Sequence, residues 1–195
     1  ATGLMLGLLK LNNFYNLEGL ELSKWACNEA KKNFNLDIQN VDIYDAKYPS
    51  EYFDLIISNH VIEHLKDPLQ AFIKINQFLK TGGLLFLSTP NGSCLNSRIV
   101  KAKWRHFIPE EHLYLFNKKS IKIFLGKIGF KIILLKFRLY SDDSLLNYLK
   151  QLTMPILIDY YRRIIKNQGS LNNFITSRDG MIIVAQKIKN IETSH

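Results

Sequence analysis

Cysteine is scarce in this sequence, with only Cys27 and Cys94 among 195 residues. Two distant cysteines without neighbouring ligand residues indicate neither a disulfide framework nor a zinc site, so we expect a reduced, cytoplasmic setting. Long apolar runs are also absent, since no stretch reaches the roughly 18 residues of a transmembrane helix. Residues 1–10 carry no basic leader, so we expect no secretory signal. With 10 glycines and 5 prolines, collagen-like and proline-rich classes are excluded.

The composition is that of a globular protein, with 47% apolar and 22% charged residues. The length suits one α/β domain with a sizeable core. Charge is unevenly distributed along the chain. Residues 1–97 carry 8 basic and 10 acidic side chains, whereas residues 98–195 carry 18 basic and 7 acidic side chains, and the net charge is +9. The basic second half is either a solvated lysine-rich surface or a face for an anionic partner.

Apolar patterning alternates between helix-like and strand-like segments. Helices are predicted over 4–11, 24–34, 118–128 and 144–167, and strands over 16–22, 37–42, 53–58, 84–88, 130–140 and 181–186. A further helix is predicted to begin at Asp67 and Pro68, a capping residue followed by a helix-starting proline, and to stop at Gly82 and Gly83. The buried side of helix 24–34 is predicted to hold Trp25, Ala26, Ala30 and Phe34. The alternation predicts an α/β fold with a doubly wound parallel sheet.

Ligands of doubly wound sheets bind at the carboxyl ends of the strands. The residues that follow the predicted strands are Glu21, Asp42, Asn59, His60 and Thr89–Asn91. An acid such as Glu21 either accepts hydrogen bonds from the ribose hydroxyls of a nucleotide-like cofactor or is a surface side chain near a helix N-terminus. Gly3 is typical of the end of a glycine-rich turn that leads into a helix.

Three motifs appear in order: EGLELS over 18–23, YFDLIISNHVIEHLKDP over 52–68 and LKTGGLLFLSTPN over 79–91. This series resembles the class I S-adenosylmethionine (SAM)-dependent methyltransferases, especially the ubiquinone/menaquinone-biosynthesis-like branch. The resemblance covers about residues 1–140 and the final strand. It implies a Rossmann-like seven-stranded sheet whose last strand is antiparallel. We expect one domain over 1–195, with a helical insertion at about 143–168.

The resemblance also implies which residues bind SAM. Gly3 matches the end of the glycine loop beside the methionine part, and Glu21 matches the ribose acid. Leu22, Asp42 and Ile43 match residues around adenine, and the segment that lines the methionine end is matched by Asn59 and His60.

The sequence departs from the family pattern in two places. The first strand and most of the glycine loop are missing, so we expect a fragment that folds poorly and binds SAM weakly. Quinone O-methyltransferases of this branch carry Glu-x-x-Glu-His, which some use for a divalent metal. Here the segment begins with His60 and reads His-Val-Ile-Glu-His, and we predict no metal.

Methyl transfer from SAM needs in-line alignment and exclusion of water, and a hydroxyl nucleophile also benefits from a general base. By position the candidates are His64 and then His112, although each could instead hydrogen-bond the backbone. Trp104 and His106 match a region that lines the acceptor pocket in related methyltransferases, or they belong to a packed loop.

We therefore predict methyl transfer to a small molecule with a quinone-like, lipid-linked or glycan acceptor. The alternative is a truncated or inactive module that binds a partner through the basic second half. An NAD-dependent oxidoreductase is disfavoured because EHLKDP and TPN do not belong to the dinucleotide fingerprint. Nucleic acid is not expected, since no aromatic–basic RNA-reading motif is present. Residues 144–166 are either a basic amphipathic segment that contacts a membrane peripherally or a packed helical insertion.

Overall fold

The computed structural model describes residues 2–104, 106–138 and 180–191. These residues fall into two compact units, one built from residues 2–46 and the other from 47–104, 106–138 and 180–191. The predicted helix at 144–167 and the insertion at 143–168 lie outside the described residues. Within the described part of the chain, no helix is long and apolar enough to span a membrane.

The first unit contains two helices at the predicted positions, α1 (Leu4–Leu11) and α2 (Lys24–Phe34). Ser23 caps α2, because its hydroxyl accepts a hydrogen bond from the amide of Ala26 at 3.2 Å. The expectation that Trp25 is buried is wrong, since 66% of this residue is exposed. The buried face is set by Ala26 and Ala30, four residues apart, and Trp25 lies about 100° around the helix from Ala26.

The predicted strands at 16–22 and 37–42 reduce to a single parallel bridge between Leu20 and Gln39. Two backbone hydrogen bonds hold it, from the amide of Glu21 to the Gln39 carbonyl at 3.0 Å and from the Gln39 amide to the carbonyl of Gly19 at 2.9 Å. Beyond the bridge, the Asn40 side chain bonds the carbonyls of residues 21 and 22 at 2.8 Å. The Asn40 side chain therefore occupies backbone carbonyls that the amides of a longer strand pair would have used.

The second unit has a mixed sheet with helices, as an α/β fold requires. The strands are β1 (Phe53–Asn59), β2 (Leu79–Pro90), β3 (Phe130–Arg138) and β4 (Gly180–Lys187). The helices are α3 (Pro68–Phe78), α4 (Leu95–Val100) and α5 (Lys118–Lys127). The sheet order is β1-β2-β4-β3. β1 and β2 are parallel, and β4 is antiparallel to both β2 and β3, which confirms the antiparallel last strand.

Local capping signals place two helices of this unit. The Asp67 carboxylate accepts from the amide of Gln70 at 3.0 Å at the start of α3, and the Asn117 side chain accepts from the amide of Ser120 at 3.0 Å at the start of α5. Gly129 follows α5 with a left-handed backbone, φ 78°, which glycine adopts without steric cost. The predicted caps at both helix starts are confirmed.

The predicted end of α3 at Gly82 and Gly83 is wrong, because the helix ends at Phe78 and β2 begins at once. The register explains the difference: Phe53 pairs with Leu79, but Leu55 pairs with Leu84. The two glycines therefore lie in an irregular stretch of β2 that accommodates the extra residues. Gly82 has φ 84° there, a backbone angle that favours glycine.

Candidate functional site

The carboxyl end of β1 is shaped by an unusual backbone at His60. This residue has φ 52°, a left-handed value that is uncommon outside glycine and concentrates at functional sites. Its amide donates to the carbonyl of Ser88 on β2 at 3.0 Å. One residue earlier, the side chain of Asn59 accepts a hydrogen bond from the Ser88 hydroxyl. The two parallel strands thus remain joined up to the point where the chain turns away from the sheet.

A short 3₁₀ turn over Ile62–His64 follows and buries Glu63 completely. One Glu63 oxygen accepts from Nδ1 of His60 at 2.7 Å, and the other accepts from the Thr89 hydroxyl at 3.0 Å. Burial raises the pKa of the Glu63 carboxyl, but the hydrogen bond and charge of His60, with bonds from the backbone and Thr89, outweigh it. The pKa therefore lies below its usual value, and the carboxylate is ionised at neutral pH.

The loop before α5 brings the predicted catalytic and acceptor-binding residues together. The rings of His64 and His112 are 4.7 Å apart, those of His106 and His112 are 6.2 Å apart, and those of Trp104 and His106 are 5.1 Å apart. The loop is anchored to the turn by a hydrogen bond from the amide of Tyr114 to the Glu63 carbonyl at 3.2 Å. Residues separated by up to 48 positions in sequence thus form one aromatic and imidazole cluster.

Both predicted catalytic histidines are oriented by backbone carbonyls. Nδ1 of His64 donates to the carbonyl of Glu111 at 2.9 Å, and Nδ1 of His112 donates to the carbonyl of His106 at 2.7 Å. A neutral imidazole with its proton on Nδ1 carries its lone pair on Nε2. The backbone hydrogen bonds expected as the structural alternative are therefore present, and they select a tautomer suited to accepting a proton or a hydrogen bond at Nε2.

Trp104 has a buried polar atom that protein packing leaves unsatisfied. The residue is 4% exposed, and its indole Nε1–H has no hydrogen-bond partner among the described residues. A buried donor without a partner costs about 1–3 kcal/mol. An oxygen atom of a bound acceptor would relieve that cost.

Donor atoms of Glu63, His64 and His112 lie within 4.8 Å of one another, a spacing at which three side chains could meet one cation. Both oxygens of Glu63, however, already accept hydrogen bonds from His60 and Thr89. The prediction that the chain uses no metal stays a prediction.

The predicted adenosine-binding residues lie in the first unit, where Leu20 and Gln39 bridge the two segments that carry them. One oxygen of Glu21 accepts from the amide of Ser23 at 2.9 Å, and Leu22 beside it is 67% exposed. Asp42 and Ile43 are partly exposed. A carboxylate that can accept from the ribose hydroxyls, next to an exposed apolar side chain for adenine, is a combination that fits the nucleoside part of SAM.

Gly3 precedes α1 with φ 77°, and a Cβ on it would meet Cβ of Ala30 at 2.5 Å. The backbone there has no room for a side chain, as expected of the end of a glycine-rich loop. The assignment of Gly3, and of the other six cofactor residues, to SAM contacts stays a prediction.

Glu63 and Thr89 were not among the residues that the sequence assigned to catalysis, cofactor binding or acceptor binding. Glu63 directly follows the apolar pair Val61-Ile62, and a buried acid is a signal for a paired or functional group. Thr89 follows the predicted strand 84–88, so the sequence placed it at the carboxyl edge of the sheet. The sequence did not indicate which side chain it would contact there.

Comparison with known proteins places residues 1–135 within the family described as methyltransferase domain. A ubiquinone biosynthesis O-methyltransferase from Cereibacter sphaeroides is 32% identical over 76 residues, which is 38% of this chain and 31% of that protein. The enzyme of the same name from Ruegeria sp. is 27% identical over 114 residues, which is 50% of this chain and 46% of that protein. The matched parts thus span less than half the length of these curated relatives.

Solved structures share the fold at lower identity. A SAM-dependent methyltransferase from Archaeoglobus fulgidus is 19% identical with a TM-score of 0.64, covering 95% of this chain and 82% of that one. A SAM-dependent methyltransferase from Thermotoga maritima, described as a possible histamine N-methyltransferase, is 18% identical with a TM-score of 0.64, covering 95% of this chain and 77% of that one. These likenesses confirm the expected α/β methyltransferase fold.

Proposed function

The chain belongs to the methyltransferase domain family, and we propose that it transfers a methyl group from SAM to a hydroxyl of a small, quinone-like ring compound. Class I fold and family membership make SAM the cofactor. The family and fold comparisons do not support the alternative of an inactive partner-binding module. They also disfavour an NAD-dependent oxidoreductase.

The observation that carries the acceptor proposal is the cluster of Trp104, His106 and His112 beside His64. Flat aromatic and imidazole rings favour a flat ring as ligand, and the indole Nε1–H offers a hydrogen bond to a ring oxygen. The curated relatives named as ubiquinone O-methyltransferases point to the same acceptor chemistry. Of the other classes expected from the sequence, a glycan and a lipid-linked acceptor whose reacting part is not a ring lack the flat ring that such a cluster suits.

The protein's own residues have few tasks in this reaction. When bound, SAM supplies a methyl group that is already activated by the sulfonium. Glu21 would hold the ribose and Leu22 the adenine, as the resemblance implies. Trp104 and His106 orient the acceptor ring, so the remaining requirement is removal of the hydroxyl proton.

Calorimetric titration with SAM, and separately with NAD, tests the cofactor. Residues 1–195 and a version extended upstream along its source gene are compared, because weak SAM binding is the expectation for residues 1–195. SAM binding by either protein supports the proposal. NAD binding without SAM binding by a folded protein refutes it.

Methyl transfer to catechol, a soluble ring with two hydroxyls, tests the acceptor, with glucose as the comparison. Mass spectrometry should detect O-methylated catechol and no methylated glucose. The matched variant Trp104→Phe keeps an aromatic ring and removes the Nε1–H, so KM for catechol should rise about tenfold with little change in kcat. Methylation of glucose alone, or an unchanged KM in the variant, would contradict the ring-acceptor proposal.

The location of the protein rests on the sequence alone. A cytoplasmic setting and peripheral membrane contact through 144–166, a segment outside the described ranges, stay proposals. A quinone-like acceptor with a lipid tail would make such contact useful, and pelleting with anionic liposomes at low and high salt would test it.

A further inference from the structure

Three imidazoles at this site share one arrangement, in which Nδ1 donates to a protein oxygen. For His64 and His112 the acceptor is a neutral backbone carbonyl. For His60 the acceptor is the buried carboxylate of Glu63, at 2.7 Å. Hydrogen bonds with an ionised partner are roughly twice as strong as neutral ones, and a negative partner stabilises the imidazolium that forms when Nε2 takes up a proton.

The carboxylate that orients His60 is itself held on both sides. Glu63 is 0% exposed, and its second oxygen accepts from the Thr89 hydroxyl at 3.0 Å. The His60 side chain is 26% exposed, so the imidazole reaches the surface while its partner does not. The left-handed backbone at residue 60 directs the chain from the end of β1 into the turn that contains Glu63.

We propose that His60 is the catalytic base of the methyl transfer and that Glu63, held by Thr89, is its positioning residue. The inference rests on the proposed function, since it assigns the proton acceptor for that same reaction. An ionised carboxylate only accepts hydrogen bonds, so Nδ1 of His60 carries a proton, and in the neutral imidazole the lone pair then lies on Nε2. A carboxylate–imidazole pair is a recurring device for general-base catalysis.

The proposed step balances as follows. The O–H bond of the acceptor breaks and its proton moves to Nε2 of His60, leaving the electron pair on oxygen. That pair forms the bond to the methyl carbon, and the sulfonium sulfur of SAM keeps the pair of the breaking carbon–sulfur bond. The negative charge of Glu63 stabilises the His60 imidazolium, which releases its proton to solvent after the product leaves.

The structure favours His60 over His64, which the sequence suggested as base. Both have Nδ1 engaged, but only the partner of His60 carries charge. The ionisable neighbours of this pair among the described residues are His64 and His112, whose ring nitrogens lie within 4.8 Å of a Glu63 oxygen. On β2 the neighbours are Ser88 and Thr89, which do not titrate near neutral pH.

The kinetic test uses His60→Asn, because the Asn amide nitrogen takes the place of Nδ1 and can still donate to Glu63, while Nε2 is lost. With catechol as acceptor, kcat should fall by about 10²-fold or more, the usual contribution of a general base. With 4-nitrocatechol, whose hydroxyl is already ionised at neutral pH, kcat should fall less than about tenfold. His64→Asn is the comparison and should show no such difference between the two acceptors.

A second measurement needs neither SAM nor acceptor. A long-range proton–nitrogen NMR correlation spectrum reports the tautomer of each histidine, and the His60 signals are identified by their loss in His60→Asn. His60 should be in the Nδ1–H form, and Glu63→Gln should shift the population away from it. The same variant should lower kcat with catechol about tenfold, since it removes the charge and keeps the shape.

The outcomes separate this inference from the proposed function. O-methylation of catechol by the wild-type protein and an equal loss with both acceptors in His60→Asn would overturn the assignment of the base while the proposed function stands. An Nε2–H tautomer at His60 would overturn it as well. Turnover that is abolished by EDTA and restored by Mg²⁺ would show a metal, not His60, ionising the hydroxyl. If neither acceptor is methylated, both proposals fall.

Discussion

Replacement of Asn76 tests whether one buried amide joins three elements of the second unit. Asn76 lies on α3 and is 0% exposed. Its side-chain nitrogen donates to the carbonyl of Ile128 after α5 at 2.9 Å and to the carbonyl of Lys189 after β4 at 3.1 Å. Its side-chain oxygen is buried without a hydrogen-bond partner among the described residues. The orientation of the Asn76 amide is thus fixed by the two hydrogen bonds that its nitrogen donates, and its oxygen contributes none.

The magnitudes follow from the two possible substitutions. Asn76→Asp keeps the shape but sets oxygens against both carbonyls, so it should lower the free energy of unfolding by about 3–5 kcal/mol, two hydrogen bonds plus the cost of a buried unpaired acid. Asn76→Leu loses the same bonds but removes the unsatisfied oxygen and adds apolar burial. Its net loss should be about 1–2 kcal/mol.

Urea unfolding measures both changes, provided the signal comes from the second unit. The chain has two tryptophans, and the exposed Trp25 lies in the first unit. In a Trp25→Phe background, Trp104 alone reports the unfolding of the unit that contains Asn76. An Asp variant as stable as the Leu variant, or a Leu variant as stable as the parent, would refute the argument that the two donated bonds hold this junction.

Three further changes test other parts of the structure. Gly3→Ala should destabilise the chain by about 1–3 kcal/mol, measured by thermal unfolding, because φ is 77° and the new Cβ would meet Ala30 at 2.5 Å; an unchanged Tm would contradict this. Folding lowers the pKa of Glu63, so the ionised carboxylate stabilises the folded protein fully above its ordinary pKa of 4.5. That stabilisation is lost as the pH falls through the folded-state pKa. The difference in the free energy of unfolding between the parent and Glu63→Gln should therefore shrink in acid. Lys187→Met should cost about 1–3 kcal/mol in urea unfolding, because it leaves the Leu79 carbonyl, which accepts from Nζ at 2.7 Å, without that partner. Lys187→Ala should cost more, because it also opens a cavity where the side chain is wholly buried.

Local signals in the sequence determined much of the secondary structure. The pair Asp67–Pro68 and the cap Asn117 placed the starts of α3 and α5, because a helix N-terminus needs acceptors that are supplied within three residues. The apolar runs at 53–58 and 84–88 placed the centres of β1 and β2. The motifs around these strands were also sufficient for the resemblance to SAM-dependent methyltransferases, which the family match confirms.

Pairing between distant segments decided what the sequence left open. The extended segments at 16–22 and 37–42 formed one bridge and not strands, because Asn40 takes backbone acceptors with its side chain. Gly82 and Gly83 resemble a helix stop, yet the register of β1 against β2 places them inside a strand. Neither outcome can be read from propensities within a few residues.

The site divides in the same way. The sequence by itself placed His60 directly after a strand, since that depends only on where an apolar run ends. The acceptor roles expected of Trp104 and His106 came from the resemblance to SAM-dependent methyltransferases. Tertiary structure alone decided that His112 meets His64 from 48 positions away and that Thr89 completes the hydrogen bonding of Glu63 from 26 positions away. A buried carboxylate is stable only when distant donors reach it, and which donors do so depends on how the strands and loops pack.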